Sequence, residues 1–299
     1  MSRTTASTLS FRGSGLREGT FGALVELSKP SILALVMVTA TCGALVAGGR
    51  LPVARLLIAL GATALVVAAA NALNMYAERD FDGLMSRTAR RPLPSGRLAP
   101  EVALGFSLML ASIGLNVLGL AAGGLPCALT LLAFVSYVFV YTPLKRVGPI
   151  ALWVGALPGA LPPLIGCAAV RGTLNEASLW LFVILFVWQV PHFLAIAMFR
   201  VDDYRRAGMQ VLSVARGPEV TERAMRRNSV LLVALTLLPA LSDVVHPAYV
   251  LVAAPVGIAF LWLVLRGPRE LPRDRWARRV FFASMPYLVV VYAAFVAAA

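Results

Sequence analysis

The sequence predicts an all-α polytopic membrane protein, a bundle of nine transmembrane helices with its working loops on the cytoplasmic face. Three observations carry that prediction. Hydrophobic residues make up 59% of the 299 residues and charged residues only 14%, against about 25% charged in an ordinary soluble domain. Nine apolar stretches approach the length of about 20 residues that a bilayer-spanning helix needs. The basic residues fall almost entirely on alternate connections between those stretches. A mean hydropathy of +0.81 argues against a soluble enzyme, a nucleic-acid binder and a secreted disulfide scaffold, and a disordered chain would show the opposite imbalance.

The expected spans lie at about 30–48, 54–77, 101–121, 125–142, 150–170, 178–199, 229–246, 248–266 and 280–298. Asp243, His246 and Pro247 interrupt the seventh and eighth, which reads as a tight outer turn. Residues 1–26 are polar, rich in Ser, Thr, Gly and Arg, and lack the apolar core of a secretory signal. They read as a disordered cytoplasmic tail ahead of a membrane domain over 27–299. With the N-terminus inside, 24 of the 27 lysines and arginines fall on inner segments, and only Arg50, Arg55 and Arg171 lie outside. That is the positive-inside pattern, and it places the C-terminus outside. The net charge of +13 is thus a topology signal, and no nucleic-acid partner is expected. Cys42, Cys127 and Cys167 sit in apolar runs, without metal-ligand spacing or an even count for disulfides.

Outer connections are short, whereas the inner ones at 78–100 and 200–228 exceed 20 residues, a length usually reserved for function. Five of the fourteen acidic residues crowd at the starts of these two connections, at 78–82 and 202–203. Asn74, Glu78 and Asp82 are spaced i, i+4, i+8 and share one helix face. Asp202 and Asp203 stand at the matching end of the sixth span, between Arg200 and Tyr204. Carboxylates at a membrane boundary are costly unless paired or binding something. Oxygen-only ligand sets of this kind suit Mg²⁺, which takes a few carboxylates and completes its shell with phosphate oxygens and water. Arg79, Arg87, Arg90, Arg91, Lys145, Arg146, Arg200, Arg205 and Arg206 interleave the acids. Acids, Mg²⁺ and cations together make a diphosphate site. Above an apolar bundle, such a site points to a prenyl diphosphate, with its head at the interface and its tail between helices. Gln189 and His192 lie inside the sixth span near one stripe with Asp203. The prolines and glycines of 158–166 fit either a cavity wall or kinked packing. A transporter is disfavoured, because the acids gather at one face while mid-bilayer depth is nearly free of charge.

At these residues the sequence resembles the UbiA superfamily of intramembrane prenyltransferases. The first family motif, Asn-x-x-x-Asp-x-x-x-Asp, reads here Asn74-x-x-x-Glu78-x-x-x-Asp82. The resemblance extends through Leu27-Ser-Lys-Pro30, the run Arg87-Thr-Ala-Arg90-Arg91-Pro92-Leu93, Tyr141-Thr-Pro-Leu-Lys145-Arg146, and Trp188-Gln-Val-Pro-His192-Phe continuing to Arg200-Val-Asp-Asp-Tyr204. The Gln-x-Pro-His-Phe string is similar to the branch that farnesylates heme. The resemblance implies nine helices and two acidic motifs binding Mg²⁺ and farnesyl diphosphate. It also implies attack of a farnesyl cation on a vinyl group of heme B (protoheme IX), with water adding to give heme O. Asn74, Glu78, Asp82, Asp202 and Asp203 are then the metal ligands. Arg79, Arg87, Arg91, Lys145, Arg146, Gln189, Arg200 and Tyr204 bind substrate, and His192 contacts heme or handles a proton. A quinone-precursor or other aromatic acceptor is the alternative within the superfamily. The resemblance further implies a bacterial plasma membrane and association with downstream heme A synthesis or oxidase assembly. Two departures stand out: Glu78 replaces an aspartate, and Gly148-Pro149-Ile150-Ala151 replaces a polar stretch after Lys145-Arg146.

Overall fold

Apolar runs of this length become helices because, in hydrocarbon, every backbone N–H and C=O must be satisfied within its own segment. The computed structural model describes residues 19–48 and 53–299, and all regular structure among them is helical. In chain order α1 spans Thr20–Leu27, α2 Pro30–Leu45, α3 Val53–Asp82 and α4 Pro100–Ala122. Helix α5, Gly124–Val135, runs through a π-helical turn, Ser136–Tyr141, into the short α6, Thr142–Leu144. Then come α7 (Ala151–Ala160), α8 (Pro162–Arg171), α9 (Glu176–Phe199), α10 (Val201–Arg206), α11 (Leu212–Ala215), α12 (Pro218–Leu237), α13 (Val250–Glu270) and α14 (Arg273–Ala298). Prolines open α2, α4, α8 and α12, where a missing N–H costs nothing. Asn175 and Ser178 form a reciprocal capping box at the start of α9, satisfying donors that would otherwise be orphaned.

Eight helical segments are long and apolar enough to cross a bilayer. The pair α1–α2, bent by 45° at Lys29, makes a ninth when counted as one span. The chain is a multi-pass integral membrane protein. The outer turn around Asp243 and His246 separates α12 from α13 as expected, with a 3₁₀ turn on each side. Helix ends differ from the expected spans. Helix α3 continues past residue 77 to Asp82, α12 begins well before 229, and α14 begins at Arg273. Hydropathy stops at the first charges, whereas the backbone hydrogen-bond ladder runs on beyond the apolar layer. The expected inner loop 200–228 is therefore largely helical. Of the expected polar tail, residues 1–18 lie outside the described residues, and its end is helix α1, which buries Ala23 and Leu27.

Helix α9 and the α7–α8 pair are the inner elements: two-thirds of each apolar window is buried (67%), against 22% for Gly124–Leu144. Helix α9 packs on α7, α12 and α14, pinned by Tyr292 Oη donating to the Leu181 carbonyl and Trp188 Nε1 to that of Ser284, both at 2.6 Å. Between helices in lipid, close approach replaces the hydrophobic gain as the source of cohesion. The crossing of α2 and α8 shows this. A Cβ on Gly43 would lie 1.9 Å from the Pro163 carbonyl oxygen, and one on Gly166 1.8 Å from that of Ala40. The glycine and proline content of 158–166 thus serves the helix break at Leu161 and this crossing. The ends of α3, α6, α9 and the start of α14 converge on one cavity.

Candidate active site

The C-terminal turns of α3 form the acidic wall of that cavity. Asn74, Glu78 and Asp82 are all buried, at 1%, 5% and 1% exposure, because they continue the face that α3 turns inward. Each is held by a different element. Asn74 Oδ1 accepts from Lys29 Nζ at 3.1 Å, and its Nδ2 donates to Thr142 Oγ1 at 3.1 Å. Glu78 Oε1 accepts from Lys145 Nζ at 2.7 Å. Asp82 Oδ2 accepts from Arg91 Nη1 at 2.6 Å. The other Asp82 oxygen, Oδ1, is buried with no hydrogen-bond partner.

The second acidic element enters from behind. Asp203 on α10 is buried and accepts from Ser86 Oγ at 3.0 Å, so the loop after α3 is tied to the loop after α9. Arg206 pairs with the same carboxylate, and Arg200 lies 3.7 Å away. Burial works against ionisation of Asp203, but the Ser86 hydrogen bond and the Arg206 and Arg200 charges outweigh it and hold its pKa below the ordinary carboxylate value. Burial likewise opposes the Lys145 ammonium, yet Tyr141 and Glu78 keep its pKa above the usual lysine value. Lys145 also stands over the Tyr141 ring, 4.5 Å from its centroid.

The α3 stripe, Arg91, Lys145, Tyr141 and Arg200 line a cavity of about 510 Å³, within the usual range for a small-molecule site; Asp203 stands behind this lining. The cavity brings together Asn74, Glu78, Asp82, Arg87, Arg91, Lys145, Arg200 and Tyr204 at the polar end, and Ile32, Leu152, Phe193, Phe281 and Phe282 at the apolar end. Lys29, Tyr137, Tyr141 and Arg278, absent from the expected set, also line it. The π-helical turn carries both tyrosines; such turns recur at functional sites. Lys29 was legible as one of only two lysines among 27 cations, the other being Lys145.

Other expected residues stand away from the cavity. Asp202 points to solvent, 74% exposed, and pairs with Arg205 at 2.8 Å, because adjacent helical residues point in different directions. Arg79 lies over the Tyr76 ring beside Asp80, and Arg146 over Phe81. Gln189 Nε2 donates to the carbonyls of Ala156 and Leu185 at 2.9 and 3.2 Å, joining α9 to α7. His192 sits one layer behind the wall, between Trp188 and Phe281, each 4.6 Å away by ring centroids. The Ser284 hydroxyl donates to the Phe281 carbonyl at 2.7 Å. It therefore accepts from His192 Nδ1–H, also at 2.7 Å, which leaves the Nε2 lone pair free.

Among the described residues no three His, Cys, Asp or Glu side chains converge closely enough to hold a metal by themselves. The donor set fits a hard divalent cation that keeps much of its shell for phosphate and water. It offers two carboxylates and an amide oxygen on one helix face, one of those carboxylate oxygens being buried and unsatisfied. Leaving such an oxygen bare costs about 1–3 kcal/mol, a cost that a cation on this face would relieve.

Comparison with known proteins gives the family. The chain is 44% identical over 271 residues to a protoheme IX farnesyltransferase of Myxococcus xanthus, covering 91% of this chain and 92% of that one. It is 47% identical over 243 residues to the protein of that name from Sorangium cellulosum, covering 81% and 87%. A UbiA homolog from Archaeoglobus fulgidus, solved bound to GPP and Mg²⁺, shares the fold at 16% identity with a TM-score of 0.69, covering 91% of this chain and 99% of that one. The family model for UbiA prenyltransferases matches residues 35–285, a stretch that runs from α2 across both acidic elements into α14; the chain belongs to the UbiA prenyltransferase family.

Proposed function

We propose that the chain transfers the farnesyl group of farnesyl diphosphate to a vinyl group of heme B, forming heme O, in a bacterial plasma membrane with the acidic end of the bundle on the cytoplasmic side. The observation that carries the reading is the buried, unpartnered Asp82 oxygen in a wall of acids and cations above an apolar cavity. Extensive identity to protoheme IX farnesyltransferases supports the acceptor. Asn74, Glu78 and Asp82, with Asp203 behind them, are the residues that would hold Mg²⁺. When bound, the ion offsets charge on the leaving diphosphate.

The chain's own groups account for the rest. Lys29, Lys145, Arg87, Arg91 and Arg200 place positive charge around the diphosphate oxygens, which lowers the barrier to breaking the allylic C–O bond. The electron pair leaves with the diphosphate. The apolar end of the cavity excludes water from the farnesyl cation, and the faces of Tyr137, Tyr141 and Phe281 favour positive charge beside them. The vinyl π electrons form the new C–C bond. Water then adds to the carbon next to the macrocycle and loses one proton, so farnesyl diphosphate, heme B and water become heme O, diphosphate and a proton. The product passes to heme A synthesis or oxidase assembly.

The test is turnover in liposomes with heme B, farnesyl diphosphate and Mg²⁺, read by the mass of the extracted heme. A gain of one farnesyl and one hydroxyl group is expected, and it disappears on chelation of Mg²⁺. Unchanged heme with prenylation of an aromatic acceptor would replace heme B by that acceptor. No diphosphate release under any condition would remove the enzymatic reading altogether.

A further inference from the structure

A second cavity, of about 720 Å³, lies beside the first between α7, α9 and α12. The two share a wall made by Gly148, Pro149, Leu152, Leu194 and Leu212. Their chemistry differs. The first mixes acids with cations, as a metal-bound diphosphate requires. The second has no acidic residue in its lining; its charged groups are Arg216, Arg223 and Arg227, above an apolar floor that includes Trp153 and Val190.

The arginines of α12 divide by face. Arg226 pairs with Glu222 at 2.7 Å, and Arg273 of α14 reaches Glu219 and Glu222 at 2.8 and 3.6 Å. That side of the helix is neutralised. Arg223 and Arg227, one turn apart, line the cavity without a direct ion pair among the described residues, as does Arg216 at the end of α11; Arg223 still feels the Glu219 carboxylate one turn before it, whereas Arg216 and Arg227 have no such neighbour in the lining. A topology signal needs positive charge on the inner side but does not need it gathered unpaired over an apolar hollow that adjoins the reaction cavity.

We infer that this second cavity holds the acceptor tetrapyrrole, with Arg216, Arg223 and Arg227 binding its two propionate carboxylates. The inference rests on heme B being the acceptor. Heme B is a flat apolar disc with both propionates on one edge and its vinyl groups on the other half of the ring. Seated with the propionates on the arginines, it turns a vinyl edge toward the shared wall and the allylic carbon beyond. Gly148 suits that wall, since a Cβ placed there would meet nothing within 4 Å; the partition is thin and open at this point. Arginine takes carboxylates in paired, charge-assisted hydrogen bonds, and an all-cation lining disfavours a second metal-bound diphosphate. The arrangement also gives the departure at 148–151 a use: small and apolar residues leave room for a macrocycle where polar side chains would fill it.

The experiment compares the full-length protein with R223Q/R227Q and with R216Q in vesicles of uncharged phosphatidylcholine, using heme B and heme B dimethyl ester as acceptors. Wild-type formation of heme O is measured first, so failure of the acceptor assignment shows before any variant is made, and the inference falls with it. All three arginines are exposed, so the substitutions leave the packed core untouched, and an unchanged thermal midpoint in detergent checks this. The double variant is expected to raise KM for heme B by about tenfold or more, the worth of one or two charge-assisted bonds, with KM for farnesyl diphosphate unchanged. With the ester, wild type should already show the raised KM and the variant no further loss. Equal KM for heme B in wild type and variant overturns the proposal. So does a loss of the same size with heme and with ester, which would make the arginines structural. A loss that arises only when anionic lipid is added assigns them to the membrane surface and overturns it as well.

Discussion

At Asp82 one carboxylate oxygen is taken by Arg91, while the other, equally enclosed, faces no donor. Asparagine keeps the shape and an acceptor for Arg91 but loses the charge. Asp82→Asn should therefore lower turnover by about a hundredfold or more while the melting temperature in detergent stays within a few degrees; a variant of near-normal rate would remove Asp82 from the metal set. Asp203→Asn should behave alike, since it too keeps the Ser86 contact. The stripe of Asn74, Glu78 and Asp82 was legible because i, i+4 spacing is a property of the helix alone. The choice between Asp202 and Asp203 was not, since neighbouring residues point apart and only the packing of α10 decides which is buried. Gln189 and His192 stand apart from Asp203 for a related reason: counting along one helix joins them, but the helix breaks at Arg200, with φ −116°, and the stripe does not pass through the break.

Helix boundaries and breaks decide what reaches the cavity. Lys29 has φ +50°, the left-handed region, and is the single non-glycine residue with positive φ among the described residues. That conformation ends α1, turns α2 aside and delivers Lys29 Nζ to Asn74. Hydropathy cannot report such a break, nor the π-helical turn of Ser136–Tyr141. The latter is fitted to α7 at Gly155, where a Cβ would lie 2.4 Å from the Tyr141 ring. At the α2–α8 crossing the obstruction is backbone, which cannot swing aside. Gly166→Ala should destabilise the fold by about 1–3 kcal/mol, measured as a lowered thermal midpoint in detergent, whereas Gly105→Ala, with nothing within 4 Å, should change it little. Equal midpoints would mean the crossing relaxes freely.

Over the whole molecule, the number of spans was legible because apolar length is a direct requirement of the bilayer. The first span was least so: α2 alone has 16 residues and needs α1 to complete it. The charge asymmetry predicts an orientation that reporter fusions can measure. A phosphatase reporter active only outside the cytoplasm should work at residue 299 and fail at 208, and a cytoplasmic reporter should do the reverse. The opposite result would place the acidic cavity on the outer face and change where both substrates are drawn from. The pairing of two distant inner segments, through Ser86 and Asp203, had no signature in the sequence. It is a contact between residues 117 positions apart, made where the loop after α3 meets α10.

The hydrogen bond from Lys145 to Glu78 has a further consequence. The ammonium neutralises the carboxylate that a divalent ion would claim. Loading the site is then an exchange: the lysine must release Glu78, and an arriving diphosphate gives it a new anion. Ion and diphosphate should load as a couple, each weak without the other. Removing the ammonium separates the two effects. Lys145→Met should bind Mg²⁺ or Mn²⁺ alone more tightly than wild type, by calorimetric titration, while turning over far more slowly.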